Sequence, residues 1–151
     1  GCGGGEGNAA CAIAKCSLSR GGYAFCYECE EFPCEHYQGC TKKDSFISHL
    51  NQRSDMLKIQ TMGEVAYTEM LDEKRKILDQ LREQYNDGRK KSFYGQAVNL
   101  LDIEGLKEVM AQLDAMTDLP IEAIKERANK ATQLLTELAD RQGISLKLRK
   151  K

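Results

Sequence analysis

VAYTEMLDEKRKILDQLREQY, residues 65–85, decides the architecture of most of this chain. Val65, Met70, Leu71, Ile77, Leu78, Leu81 and Tyr85 recur at near-helical intervals. Glu73, Lys74, Arg75, Lys76, Arg82 and Glu83 cover the solvated face between them. The run predicts an amphipathic helix ended by Asn86-Asp87-Gly88, with Gly88 taking the positive φ of a C-terminal cap.

The same periodicity continues outward in both directions. Phe93 to Leu101 is mainly apolar and reads either as a strand or as a short buried helix. The Phe93/Tyr94 pair has no interleaved basic stripe, so it reads as core rather than as a base-stacking platform. Asp102 and Asp114 cap or terminate turns, and Leu106, Val109, Met110 and Leu113 form the stripe of a further helix. Pro120 fits the first turn of the next helix, capped from Asp118. Its inner face runs through Ile121, Ile124, Ala128, Ala131, Leu134, Leu135 and Leu138 to a stop at Gly143. Ile144 to Arg149 alternates like a strand. Before residue 65, Asp44 or Thr41 caps a helix carrying Phe46, Ile47, Leu50, Met56 and Leu57, which places His49 inside it, and Met62-Gly63 breaks that helix. The expected fold is mainly α: a helical body over residues 41–151 with one or two short strands, carrying a small irregular head over residues 1–40.

The head is defined by cysteine. Cys2, Cys11, Cys16, Cys26, Cys29, Cys34 and Cys40 are all seven cysteines of the chain, and residues 41–151 have none. An extracellular disulfide scaffold staples its whole domain, and an odd count leaves one thiol over. The pattern therefore predicts metal-bound thiolates in a reducing cytoplasm. Cys26-Tyr27-Glu28-Cys29 has the two-residue spacing that lets both sulfurs face one tetrahedral ion. Pro33 holds Phe32 extended and stiffens the turn that returns Cys34 toward this pair. Cys11 and Cys16 belong to an Ala-rich stretch that suits a short helix, and Gly21-Gly22 turns the chain back. The opening glycines around Cys2 need an anchor to become ordered, and a metal bond supplies one.

One zinc takes four ligands, and the head offers more thiols than that. Two metals, one metal with spare thiols, and an iron–sulfur cluster all remain open. The spacings match neither common ferredoxin pattern, so zinc is the expected metal, with an iron–sulfur cluster as the alternative. The expected metal ligands are Cys2, Cys11, Cys16, Cys26, Cys29 and Cys34. His36 and His49 read as solvated or locally hydrogen-bonded, and Cys40 as a spare thiol that senses oxidant or metal in a regulatory alternative.

The remaining composition narrows the function classes. A length of 151 residues with 41% hydrophobic and 30% charged residues suits one modest core, or a helical core with a small satellite. A net charge of −1 gives no field toward nucleic acid or anionic membrane, so neither is an expected partner. The basic residues Lys147, Arg149, Lys150 and Lys151 read as a solvated terminus. No apolar run approaches the roughly 20 residues of a membrane span, and no secretory signal pattern opens the sequence. No nucleophile–base pair can be assembled, since both histidines lie near the front, and no phosphate-cradling glycine motif occurs. Glu28, Glu30, Glu31 and Glu35 read as solubilising carboxylates. The expectation is a noncatalytic zinc protein presenting Tyr23, Phe25, Tyr27 and Phe32 to a protein partner; the alternative is electron transfer or redox and metal sensing.

Cys11-x-Ile13-x-x-Cys16, then Arg20-Gly21-Gly22, then Cys26-Tyr27-Glu28-Cys29-Glu30-Glu31-Phe32-Pro33-Cys34 resembles the signature of the DUF3795 family, small cysteine-rich prokaryotic proteins. Asn51-Gln52-Arg53 and Lys58 to Gly63 resemble the family's post-cysteine helix, and Asp87 to Tyr94, Ala97 to Leu101 and Gly143 to Lys151 resemble a longer subgroup. Gln96 stands where some members carry a cysteine. The resemblance implies metal binding, with zinc as the metal. It also implies further cysteines upstream, in a Cys-x-Gly-Cys element whose last cysteine Cys2 matches.

Overall fold

The computed structural model describes residues 12–37, 44, 47–116 and 123–149. Within them lie six α-helices: α1 Ala12–Ser19, α2 Gln52–Met62, α3 Glu64–Gln84, α4 Lys91–Leu100, α5 Ile103–Asp114 and α6 Ile124–Arg141. Two single 3-10 turns, Cys26–Glu28 and Glu35–Tyr37, lie between α1 and α2. The fold is mainly α. Among the described residues no helix is long and apolar enough to cross a membrane.

Helices α3 to α6 build the core; the predicted α3 stripe enters it only from Ile77 onward, since Val65 and Leu71 are exposed, while Lys74, expected on the solvated face, is buried. Ile77, Leu81 and Tyr85 of α3 and its end pack with Tyr94, Ala97, Val98 and Leu101 from α4 and its end. Leu106, Val109, Met110 and Leu113 of α5 and Ala131, Leu134, Leu135 and Leu138 of α6 complete it. The buried positions 94, 97, 98 and 101 have helical spacing, which settles the open reading of this segment as helix α4.

The turns are made as their residues dictate. Gly63, at φ 84°, ends α2 and opens α3; its N–H donates to Ile59 O at 3.0 Å, and its carbonyl accepts from Tyr67 N at 3.1 Å. Asn86 Oδ1 accepts from the N–H groups of Gly88 and Lys90, both at 3.1 Å, which folds the α3–α4 turn. Tyr94, buried on α4, donates its hydroxyl to Tyr85 O at 2.5 Å and so pins the end of α3. Asp102 caps α5 by accepting from Gly105 N at 2.8 Å. Gly105 lets α5 approach α6: a Cβ there would stand 2.6 Å from Leu138 Cδ1.

Two expectations are corrected. No strand exists among the described residues, and Ile144 to Arg149 is irregular. Its alternation is satisfied differently: Ile144 and Leu146 pack against the core, and no neighbouring strand supplies a ladder. Nor does Asp44 cap a helix over Ile47 and Leu50, because α2 starts only at Gln52 and His49 precedes it. Asp44 instead organises a loop, accepting from His49 N at 3.0 Å and from Ser48 Oγ at 3.3 Å. The same carboxylate accepts from Arg149 N at 2.8 Å and from its guanidinium at 3.1 and 2.5 Å. The readings that rest on Thr41, Phe46, Asp118, Pro120, Ile121, Lys150 and Lys151 lie outside the described residues.

The Arg149 side chain holds the Asp44 carboxyl well below the usual carboxylate range, against the opposing effect of burial. A lowered folded value means stabilisation that is complete above the ordinary Asp value of about 3.9 and lost as pH falls through the folded value. Arg149→Leu is therefore expected to destabilise the protein by about 1–3 kcal/mol at neutral pH, since it removes the counter-charge and two charged hydrogen bonds from a part-buried carboxylate. Denaturant midpoints of the two proteins should converge below about pH 4; a gap that is constant from pH 7 to pH 2 would refute the pairing. Gly105→Ala is expected to cost about 1–3 kcal/mol by overpacking against Leu138, read by thermal melting, and wild-type stability would refute the close approach.

Candidate metal centre

The head has little hydrophobic core of its own. Neither α1 nor the Cys26–Glu28 turn buries a residue, and Tyr37 is the buried residue of the Glu35–Tyr37 turn. Local hydrogen bonds and ring contacts shape it instead. Helix α1 ends where Arg20 N donates to Cys16 O at 3.1 Å and to Ser17 O at 3.2 Å. Gly21 and Gly22 follow with φ of 115° and 74°, conformations that favour glycine, and turn the chain back as expected. Ser17 Oγ ties down the returning segment by donating to Tyr23 O at 2.6 Å.

The second half of the head is a series of tight turns between cysteines. Phe25 N donates to Glu28 Oε2 at 3.0 Å, and Cys29 N donates to Cys26 O at 3.1 Å. Phe32 N then donates to Cys29 O at 3.0 Å, and Tyr37 N to Cys34 O at 3.0 Å. The Phe32–Pro33 peptide is cis. Phe25 stacks on Tyr27 with centroids 5.6 Å apart, and Phe32 meets Tyr37 edge to face at 5.2 Å. The Cys26–Glu28 turn packs on α2, which joins the head to the body.

These turns bring four of the expected ligands to one cavity of about 30 Å³. Cys16, Cys26, Cys29 and Cys34 all line it, together with Arg20, His36 and the apolar Ile13 and Phe32. All four thiols are free and half-buried. A cavity of this size takes an ion or one or two waters rather than an organic substrate. Cys16 of α1 and Cys26, Cys29 and Cys34 of the following turns border one space, and no disulfide joins these four. Among the described residues, no three Cys, His, Asp or Glu side chains converge closely enough to hold an ion, so the thiols form a wall and not a closed shell. Cys2, Cys11 and Cys40 lie outside the described residues.

Two further residues join the cavity. His36, which its spacing presents as solvated or locally bonded, is half-buried on the wall. Arg20 lies in the turn just after α1, and its side chain joins the same wall as Cys16. Its guanidinium pairs with Glu31 at 2.6 Å, both side chains about half exposed (45% and 58%). The hydrogen bond from Arg20 holds Glu31 below its ordinary carboxylate value. Of the four head carboxylates, Glu28 thus shapes a turn and Glu31 engages Arg20. The aromatic residues divide: Tyr23 is 38% exposed, whereas Phe25, Tyr27 and Phe32 are half-buried.

No family model, no curated protein and no solved structure matches this chain.

Alkylation of the denatured protein without reductant, followed by peptide mass analysis, is expected to label Cys16, Cys26, Cys29 and Cys34 fully. Appearance of the Cys26 and Cys29 labels only after reduction would show a dithiol–disulfide pair and refute the free-thiol wall.

Proposed function

We propose that this protein binds zinc through the cysteines of its head, that the metal is structural, and that the metal-ordered head serves as a binding module for a protein partner. The observation that carries this reading is the wall of four free thiols around one ion-sized cavity. Cys16, Cys26, Cys29 and Cys34 supply thiolates from the described residues, and Cys2 and Cys11 are the further ligands expected from the sequence. Bound zinc would supply cross-links between α1 and the 26–34 turns, which a segment burying little apolar surface needs in order to stay folded. The resemblance of Cys-x2-Cys-x2-Phe-Pro-Cys to the DUF3795 family supports the same reading.

The partner half of the reading rests on a smaller surface than the aromatic count suggests. Leu18 is 77% exposed and Tyr23 38%, and these are the head's outward apolar groups. Phe25, Tyr27, Phe32 and Tyr37 contact one another and hold the turns together. A reducing compartment, the cytoplasm, is where such thiols persist unpaired.

Anaerobic purification followed by elemental analysis and an optical spectrum tests the metal. Zinc near one or two equivalents without visible absorbance is expected; iron with sulfide and a charge-transfer band would replace the reading by electron transfer or cluster-based sensing. Cys26→Ser and Cys29→Ser should lower metal content more than Cys40→Ser does. Chelation should remove hydrogen-exchange protection from the head while α3 to α6 keep theirs. Equal metal in all three variants, or protection indifferent to chelators, would overturn the proposal.

A further inference from the structure

We propose that Arg20 is the counter-charge of the thiolate–metal site and that it selects an all-thiolate donor set, leaving His36 outside the coordination shell; this rests on the metal reading above. A divalent ion held by four thiolates carries a net charge of two minus, whereas three thiolates and a neutral histidine leave one minus. The cavity wall includes Ile13, Phe32 and Tyr37, so the larger charge is poorly solvated there and needs a neighbouring cation. Arg20 is the cation on that wall.

Its placement suits the role. The Arg20 backbone is fixed by hydrogen bonds to Cys16 O and Ser17 O at the end of α1. Its side chain shares the cavity wall with Cys16 and Cys29, which come from the two segments the metal would join. Five N–H donors in a planar fork can serve two sulfurs at once, which a lysine ammonium does less well. Glu31 holds the guanidinium from the other side, but a half-exposed pair is weak and screened. Glu31 therefore competes with the thiolates for Arg20 and does not lock it away. The two neighbours of Arg20 thus make opposite demands, and their substitution should give opposite signs.

The test titrates the metal-free full chain with zinc against a chromophoric chelator, and with cobalt(II), whose sulfur charge-transfer absorbance reports thiolate ligation. Arg20→Gln is expected to weaken zinc binding about tenfold, the effect of removing one screened charge from the cavity wall. Arg20→Lys should recover part of the loss. Glu31→Gln should strengthen binding by a few-fold, and His36→Ala should leave zinc affinity and the cobalt spectrum unchanged.

If Arg20 matters only through its ion pair with Glu31, Glu31→Gln will weaken binding as Arg20→Gln does, and the proposal falls. It also falls if Arg20→Gln binds as wild type, or if His36→Ala loses as much affinity as Cys26→Ser. A wild-type chain that takes up neither metal overturns the metal reading itself and this inference with it. Helical circular dichroism of each variant separates loss of binding from loss of fold, and the gain expected in Glu31→Gln cannot arise from misfolding.

Discussion

The C-terminal end of α4 leaves backbone carbonyls that no helical N–H can reach, and the arrangement of the chain around them depends on supplying donors. Asn51 Nδ2 donates to Asn99 O at 3.3 Å and Leu100 O at 3.1 Å. Lys74, on α3 and only 8% exposed, donates its ammonium to Leu101 O at 2.6 Å. Burial pushes the Lys74 pKa down, with Lys58 adding to the effect. A charged donor at the negative end of a helix offsets part of that desolvation cost. One helix end is thereby tied both to α3 and to the segment that opens α2. Gln96 and Asn99 extend the tie to the loop: Gln96 Oε1 accepts from Ser48 N at 3.1 Å, and Asn99 Nδ2 donates to Ser48 O at 3.2 Å.

From this junction the position of the head follows. Asn51 sets where α2 begins, and α2 carries the Cys26–Glu28 turn on one side and packs against α3 on the other. Asp44 clamps the same loop to Arg149, so a residue from the far end of the described chain helps hold the approach to α2. The thiol cavity thus sits on a platform that the helical core fixes, but lies outside that core. Among the described residues α2 joins the Cys26–Glu28 turn to the body; its Ile59 is buried while Leu57 and Met62 stay exposed.

The helices were legible where apolar periodicity was strong. The stripes of α5, α6 and the second half of α3 were plain because their apolar residues pack into one core. The Asp102 cap and the Gly63 and Gly88 turns were legible because few residue types satisfy those backbone positions. Residues 47–51 and 144–149 were misread for one shared reason: their apolar positions pack, but their order comes from Asp44 and Arg149, which lie 105 residues apart. No local pattern carries a pairing of that separation. In the head, Cys16, Cys26, Cys29 and Cys34 of the six expected ligands line one cavity, while Cys2 and Cys11 lie outside the described residues. Arg20 was visible only as part of a glycine turn, because its role depends on where α1 stops, and His36 joins the wall through the Glu35–Tyr37 turn.

The contrast in burial between head and body gives the cysteines their meaning. Helix α6 alone buries Ala128, Ala131, Leu134, Leu135, Leu138 and Ala139, whereas α1 buries nothing. Ordering each residue costs about 1–2 kcal/mol of backbone entropy, and the body meets that cost with apolar surface. The head cannot, since its rings form two pairs and its carboxylates and Arg20 remain in contact with water. Under the zinc reading proposed above, the cysteines that line one small cavity would supply the cross-links that packing does not.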